Sequence, residues 1–172
     1  MTSQVTATQK PFSAVRIQVN TTRSLDEVTA SLRALMGRAD GTRFAAVAQE
    51  TNSEAEYVRE VEARLVGESG FMLFSEFDHG AWMNKFGIHR RVLRWILGNP
   101  LIAITMLRHD IGAGLFVPVE ILLTDRPEES GSTVSYVRPS SLIAIEGNPP
   151  LLAAAQALDT KLQTLITRAT NT

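Results

Sequence analysis

The stretch from Leu101 to Arg138 constrains the fold more than any other. It reads LIAITMLRHD, a short IGAG break, LFVPVEILLTD, a polar RPEESGS segment and TVSYVRP. Three runs rich in aliphatic and β-branched residues, separated by two turn-rich breaks, predict an antiparallel meander at the centre of a single sheet. With the second turn centred near Glu128 and Glu129, Asp125 falls opposite Thr133, Leu122 opposite Tyr136, and Glu120 opposite Arg138. Strand alternation then gathers Phe116, Pro118, Glu120, Leu122, Tyr136 and Arg138 on one face. Two opposite charges among apolar neighbours admit two readings. One is a cross-strand ion pair worth roughly 0.2 to 1 kcal/mol. The other is a pocket wall, where Glu120, Arg138 and the Tyr136 hydroxyl orient a polar ligand. Pro118 cannot donate to a ladder, so it marks an edge or a bulge beside Glu120.

Ahead of the meander, Phe12 to Asn20 alternates well enough for a first strand. Ser24 and Glu27 have the spacing of a capping box, and Leu25, Val28, Leu32, Leu35 and Met36 form one helical stripe that stops at Gly37. Ala39 to Gln49 reads as a loop with a short apolar anchor at Phe44 to Val47. Asn52 or Ser53 caps a second helix running to about Val66, whose outer face is a solvated run of Glu and Arg. Phe71 to Asp78 reads as a second strand. The connection HGAWMNKFG places Trp82, Met83 and Phe86 in a lid, on a partner surface, or folded back over the core. Ile88 to Leu97 reads as a third helix with Arg90, Arg91 and Arg94 outward, ended by Gly98, Asn99 and Pro100.

Beyond the meander, Ser140 to Glu146 continues the last strand round a bend or forms a short extra strand. Asn148, Pro149 and Pro150 then start a final helix, Asn as cap and proline in the first turn. Its seam of Leu151, Ala155, Leu158, Leu162, Leu165 and Ala169 packs across the sheet or contributes to a dimer. A polar TRATNT tail follows.

A chain of 172 residues, 44% of them hydrophobic, suits one sizeable core. The expected layout is a flexible tail over residues 1–11 and a single α+β domain over 12–170, with insertions at about 42–68 and 79–98. Seventeen Lys and Arg against eighteen Asp and Glu leave a net charge of -1, which supplies no field for nucleic acid or an anionic membrane. Without cysteine there is no disulfide frame, thiolate nucleophile or zinc-thiolate site, in keeping with a cytoplasmic location. The first residues, MTSQVTATQKPFS, lack the apolar core of a signal peptide, and no stretch approaches the ~20 apolar residues of a spanning helix.

No P-loop, Gly-x-Gly-x-x-Gly or Gly-x-Ser-x-Gly string is present, and Gly112 to Gly114 lack a following helix pattern. No motif names a cofactor, and His79, His89 and His109 have no paired metal-ligand spacing. His109 beside Asp110 invites a dyad, but adjacent strand residues point to opposite faces. A turn or surface histidine, or a general base in a pocket, are the two readings for each.

Several strings together resemble the bacterial and fungal family called domain of unknown function 302. They are GNPLIAITMLRHDIGAGLFVPVEILL, VSYVRPSSLI and LDTKLQTLI. The positions that carry the resemblance are Asn99, Pro100, Gly114, Pro118, Tyr136, Arg138, Pro139, Ser140, Leu158, Asp159, Lys161 and Leu162, within residues 98–166. The resemblance implies a β-α-β-β-β-β-α curved antiparallel sheet with helices on one face, similar to one lobe of the TATA-binding protein, here with inserted helices between the first helix and the third strand. It also implies frequent homodimers and no established activity, since fold alone supplies none.

The resulting expectation is a soluble small-molecule-binding protein. Its pocket lies between the sheet, with Met106, His109, Glu120, Tyr136 and Arg138, and the aromatic segment bearing Trp82 and Phe86. The alternatives are a cofactor-independent isomerase, cyclase or lyase using a Glu, Tyr or His acid-base group, and a homo-oligomeric interaction module.

Overall fold

The computed structural model describes residues 6–171, so part of the expected N-terminal tail lies outside the described residues. In chain order the elements are β1 (Arg16–Thr21), α1 (Leu25–Leu35), β2 (Gly37–Arg38), α2 (Gly41–Glu50), α3 (Glu54–Arg64), β3 (Met72–Asp78) and α4 (His79–Met83). They continue with β4 (Val92–Gly98), α5 (Pro100–Leu107), β5 (Val119–Asp125), β6 (Ser132–Val137), α6 (Pro139–Ile143) and α7 (Pro149–Thr170). Tight helical turns occupy Asn84–Phe86 and Ile111–Leu115. The fold is α+β: one six-stranded sheet in the order β1-β6-β5-β4-β3-β2, antiparallel except for the β2–β3 pair.

Cross-strand rows explain where the core sits. Glu76, Trp95, Ile121, Tyr136 and Ile17 form one row, and Asp78, Leu93, Leu123, Val134 and Val19 the next. Their apolar members face α1 and α7, whose Val28, Leu32, Leu158, Leu162 and Leu165 complete the main core. Ser24 caps α1 through the expected box, its side chain accepting from Glu27 N while the Glu27 carboxylate accepts from Ser24 N at 2.8 Å. Asn148 caps α7 at Leu151 N, 3.1 Å. The α7 seam is buried against the sheet, and the helix extends through most of the expected polar tail to Thr170. Trp95 is fully buried, with the Arg33 guanidinium 4.7 Å above its ring. A second, smaller core joins Val47 of α2, Val61 of α3 and Leu65 just after it to Met72 and Phe74 of β3.

Four local expectations are corrected. The run from Leu101 is helix α5, not a strand: the Asn99 side chain accepts from Leu101 N at 2.8 Å and Pro100 occupies the first turn. An unbroken apolar run has no period of its own, so the cap decides. The segment read as the third helix is strand β4, with Leu93, Trp95 and Leu97 inward and Arg94 on the opposite face. Thus the meander is β4–β5–β6, with α5 inserted into its first connection. Ala39 to Gln49 is largely helix α2, capped by Asp40, whose carboxylate accepts from Arg43 N at 2.8 Å. Ser140 to Glu146 contains no strand, because Pro139 opens the short helix α6 instead.

The β5–β6 register also differs by one residue from expectation. Asp125 pairs with Ser132, Leu122 with Ser135, and Ile121 with Tyr136. Because side chains alternate, that single step sends Glu120 and Tyr136 to opposite faces. The sheet's bulge lies in β3 between Leu73 and Ser75, while Pro118 precedes β5 after a cis bond from Val117.

Candidate functional site

A groove of about 1220 Å³ lies between the α2–α3 hairpin and α5. Phe44, Tyr57 and Val58 form the hairpin wall; Leu101, Ile104, Met106 and Leu107 form the α5 wall; Phe71, Phe74, Gly98 and Pro118 lie at the sheet end between them. The walls stand apart because the Asn99 cap turns α5 away from the end of β4, while Phe74 holds Phe44 edge-to-face with centroids 5.6 Å apart. A Cβ on Gly98 would approach Pro118 Cβ to 3.1 Å and Phe74 Cε2 to 3.3 Å, so glycine keeps this end of the groove open.

Polar groups in the groove are few. Thr51, Asn52, Ser53 and Glu54 line it at the junction of α2 and α3, and Arg108 lines it at the end of α5. Ser53 is spent as the α3 cap, accepting from Glu56 N at 3.2 Å. Glu54 stands in the first turn of α3, where the helix dipole favours a carboxylate. Arg108 donates through Nε to Ile104 O at 3.2 Å. Burial pushes the Tyr57 phenol up from its ordinary value. Among the described residues Glu54 and Arg108 are the only ionised side chains lining the groove.

The seven residues singled out from sequence are not assembled in one site. Met106 is fully buried and lines the groove. Glu120 lies on the sheet face away from α1 and α7 and accepts from Arg94 Nε at 2.9 Å, not from Arg138. Tyr136, on the opposite face, and Arg138, at the head of α6, border a separate cleft of about 170 Å³ with Asp159 and Gln163. Asp159 there accepts from Ser140 N at 2.9 Å and from Ser140 Oγ at 2.5 Å, tying α7 to α6. Burial, and secondarily the Asp159 charge, pushes the Tyr136 phenol up. Trp82 and Phe86 pack edge-to-face beyond β3, exposed and outside both cavities. His109 is exposed after α5, where its carbonyl accepts from Asn148 Nδ2 at 3.3 Å. The arginines read as one basic helix face instead meet separate carboxylates: Arg90 with Asp125, Arg91 with Asp26 and Arg94 with Glu120. Sequence reading places the α3 part of the hairpin wall but misses helices α2 and α5; the caps at Asp40 and at Asn99–Pro100 are the signals that mark them.

Residues 46–169 match the family model described as Domain of unknown function DUF302. The chain belongs to the DUF302 family. One solved structure similar to it is the crystal structure of an uncharacterized conserved protein DUF302 from Bacillus stearothermophilus, with a TM-score of 0.62 at 15% identity over 90% of this chain and 97% of that one. At that identity the likeness speaks for the fold. No curated protein matches the chain. The DUF302 match begins inside α2, so it includes both walls of the groove except the first turns of α2. Among the described residues no helix is long and apolar enough to cross a membrane.

Proposed function

We propose that this DUF302 protein binds an apolar small molecule in the groove between the α2–α3 hairpin and α5. The observation that carries the reading is the groove itself: about 1220 Å³, bounded by aromatic and aliphatic side chains from two independent helical units. Ligand sites are concave and mostly apolar with a few polar groups, and fully burying an aliphatic group the size of a Leu side chain contributes about 1.5 to 3 kcal/mol. The groove lies away from Glu120, Trp82 and Phe86, so the ligand contacts proposed here are Met106 and its neighbours on α5.

The test uses the full chain. The environment-sensitive apolar dye N-phenyl-1-naphthylamine is titrated into the protein, and native and denaturing masses are compared for a co-purifying small molecule. The dye should brighten with the wild type and lose most of that signal in Ala103→Trp, which fills the groove, and in Ile104→Glu, which charges its wall, while far-UV circular dichroism stays unchanged. Equal brightening in all three proteins, or none in any with no extra native mass, overturns the reading.

A second reading, a homo-oligomeric interaction module, draws on Ile111 and Leu115, which are 80% and 81% exposed on one helical turn. It predicts a mass that rises with concentration, and monomers from Ile111→Glu. The enzyme alternative rests on Glu120, Tyr136 or His109, and these three lie in three separate places.

A further inference from the structure

Resting on the groove reading, we propose that the occupant is a single-chain amphiphile with an anionic head, its tail along α5 and its head at Arg108. Three observations converge. The α5 sequence PLIAITML contains no charged residue, and Leu101, Ile104 and Leu107 all line the groove. A helix that is hydrophobic all round belongs in a core or against apolar matter, yet Ile104 remains 46% exposed. A long alkyl chain laid along this wall covers that surface. The groove volume also exceeds the roughly 300–1,000 Å³ typical of drug-sized ligands, which suits an extended chain.

Charge sets the direction of the chain. Arg108 follows the last residue of α5 and makes no ion pair among the described residues; its one hydrogen bond uses Nε, leaving the terminal nitrogens for an anion. Its acidic neighbour Asp110 is also exposed, but its carboxylate is engaged as the cap of the next turn, accepting from Gly112 N at 2.7 Å. Glu54, on the hairpin wall, repels an anion from the other side. An anionic head therefore settles at the Arg108 lip. The strongly exposed Ile111 and Leu115 follow closely in the chain, on a turn packed against α5. A fork-shaped guanidinium matches a carboxylate or a phosphate, so the two head groups share this chemistry.

Competition against N-phenyl-1-naphthylamine tests the assignment with myristate, myristyl alcohol and 1-myristoyl lysophosphatidate, each below its micelle concentration. Arg108 is exposed, so its contribution is screened and modest. The anion-to-alcohol preference should fall roughly threefold in Arg108→Gln and also in high salt, with alcohol competition unchanged. A stronger effect of lysophosphatidate than of myristate assigns a phosphate head, and the reverse a carboxylate; either supports the proposal. If all three compete but Arg108→Gln leaves their ratios unchanged, the anionic head is wrong and the groove reading stands. If none competes and the dye never binds, the groove reading itself fails.

Discussion

Glu120 and Arg94 meet diagonally across β4 and β5, Arg94 Nε donating to Glu120 Oε2 at 2.9 Å on the face away from the main core. Their side chains are 49% and 40% exposed, so water screens the pair and its net worth is under about 1 kcal/mol. Glu120→Gln should therefore shift the urea midpoint only slightly and leave dye binding in the groove unchanged. A large loss of either would make Glu120 a site residue and displace the groove from first place.

That pair also shows where sequence reading succeeds and where it stops. Helix α1 was legible because capping chemistry and an apolar stripe agree on it, and α7 because Asn148 and Pro149 announce it. The same Asn-Pro signature stands at Asn99 and Pro100, but there it follows VLRWILG, a period-two run whose apolar residues also fit a helical stripe, so in sequence the signature reads as a helix stop. Glu120 was assigned the wrong partner by a one-residue slip in the turn, which inverts every side chain downstream of it. The groove was hidden for a different reason. Its walls come from α2–α3 and α5, segments far apart in sequence, and no local pattern specifies that they face each other.

The capping box of α1 gives a measurable cost. Replacing Ser24 with Ala leaves the Glu27 backbone donor without its side-chain partner and should lower stability by about 1 kcal/mol in chemical denaturation. Hydrogen bonds from the Ser24 hydroxyl, and next its backbone N–H, hold the Glu27 carboxyl below its ordinary value. A depressed carboxyl contributes stability above its unfolded pKa, and that contribution disappears as pH falls through the folded value. Ser24→Ala should accordingly flatten the acid side of the stability profile. An unchanged acid limb would mean that the box does not persist in solution.

At the alkaline end the sign reverses, and stability falls as pH rises. Burial raises the Tyr136 phenol, with Asp159 adding to it and Arg138 opposing, so the fold holds this group neutral. The associated stability is present below the ordinary tyrosine pKa and is lost as pH rises through the raised folded value. Phenolate absorbance should show both Tyr136 and Tyr57 titrating above free tyrosine, since burial raises Tyr57 as well. Tyr136→Phe should remove one of the two steps and reduce the alkaline loss of stability. Two ordinary titrations in the folded protein would contradict the burial of both rings.

Two glycines of similar backbone conformation should respond differently to the same substitution. Gly70 and Gly131 have φ of +77° and +90°, where a side chain is strained by roughly 1 to 3 kcal/mol. Around Gly70 a new Cβ meets nothing within 4 Å, so Gly70→Ala carries little beyond that strain. At Gly131 the Cβ would lie 2.0 Å from Thr21 O and 2.9 Å from Thr22 Cα, both backbone atoms at the end of β1. The chain must then separate β1 from the β5–β6 turn, breaking the edge pair of Thr21 with Ser132. Thermal melts should rank Gly131→Ala well below Gly70→Ala, with hydrogen exchange accelerated along β1 in the former alone. Equal melting temperatures would show that β1 does not close against this turn, and the sheet would then end at β6.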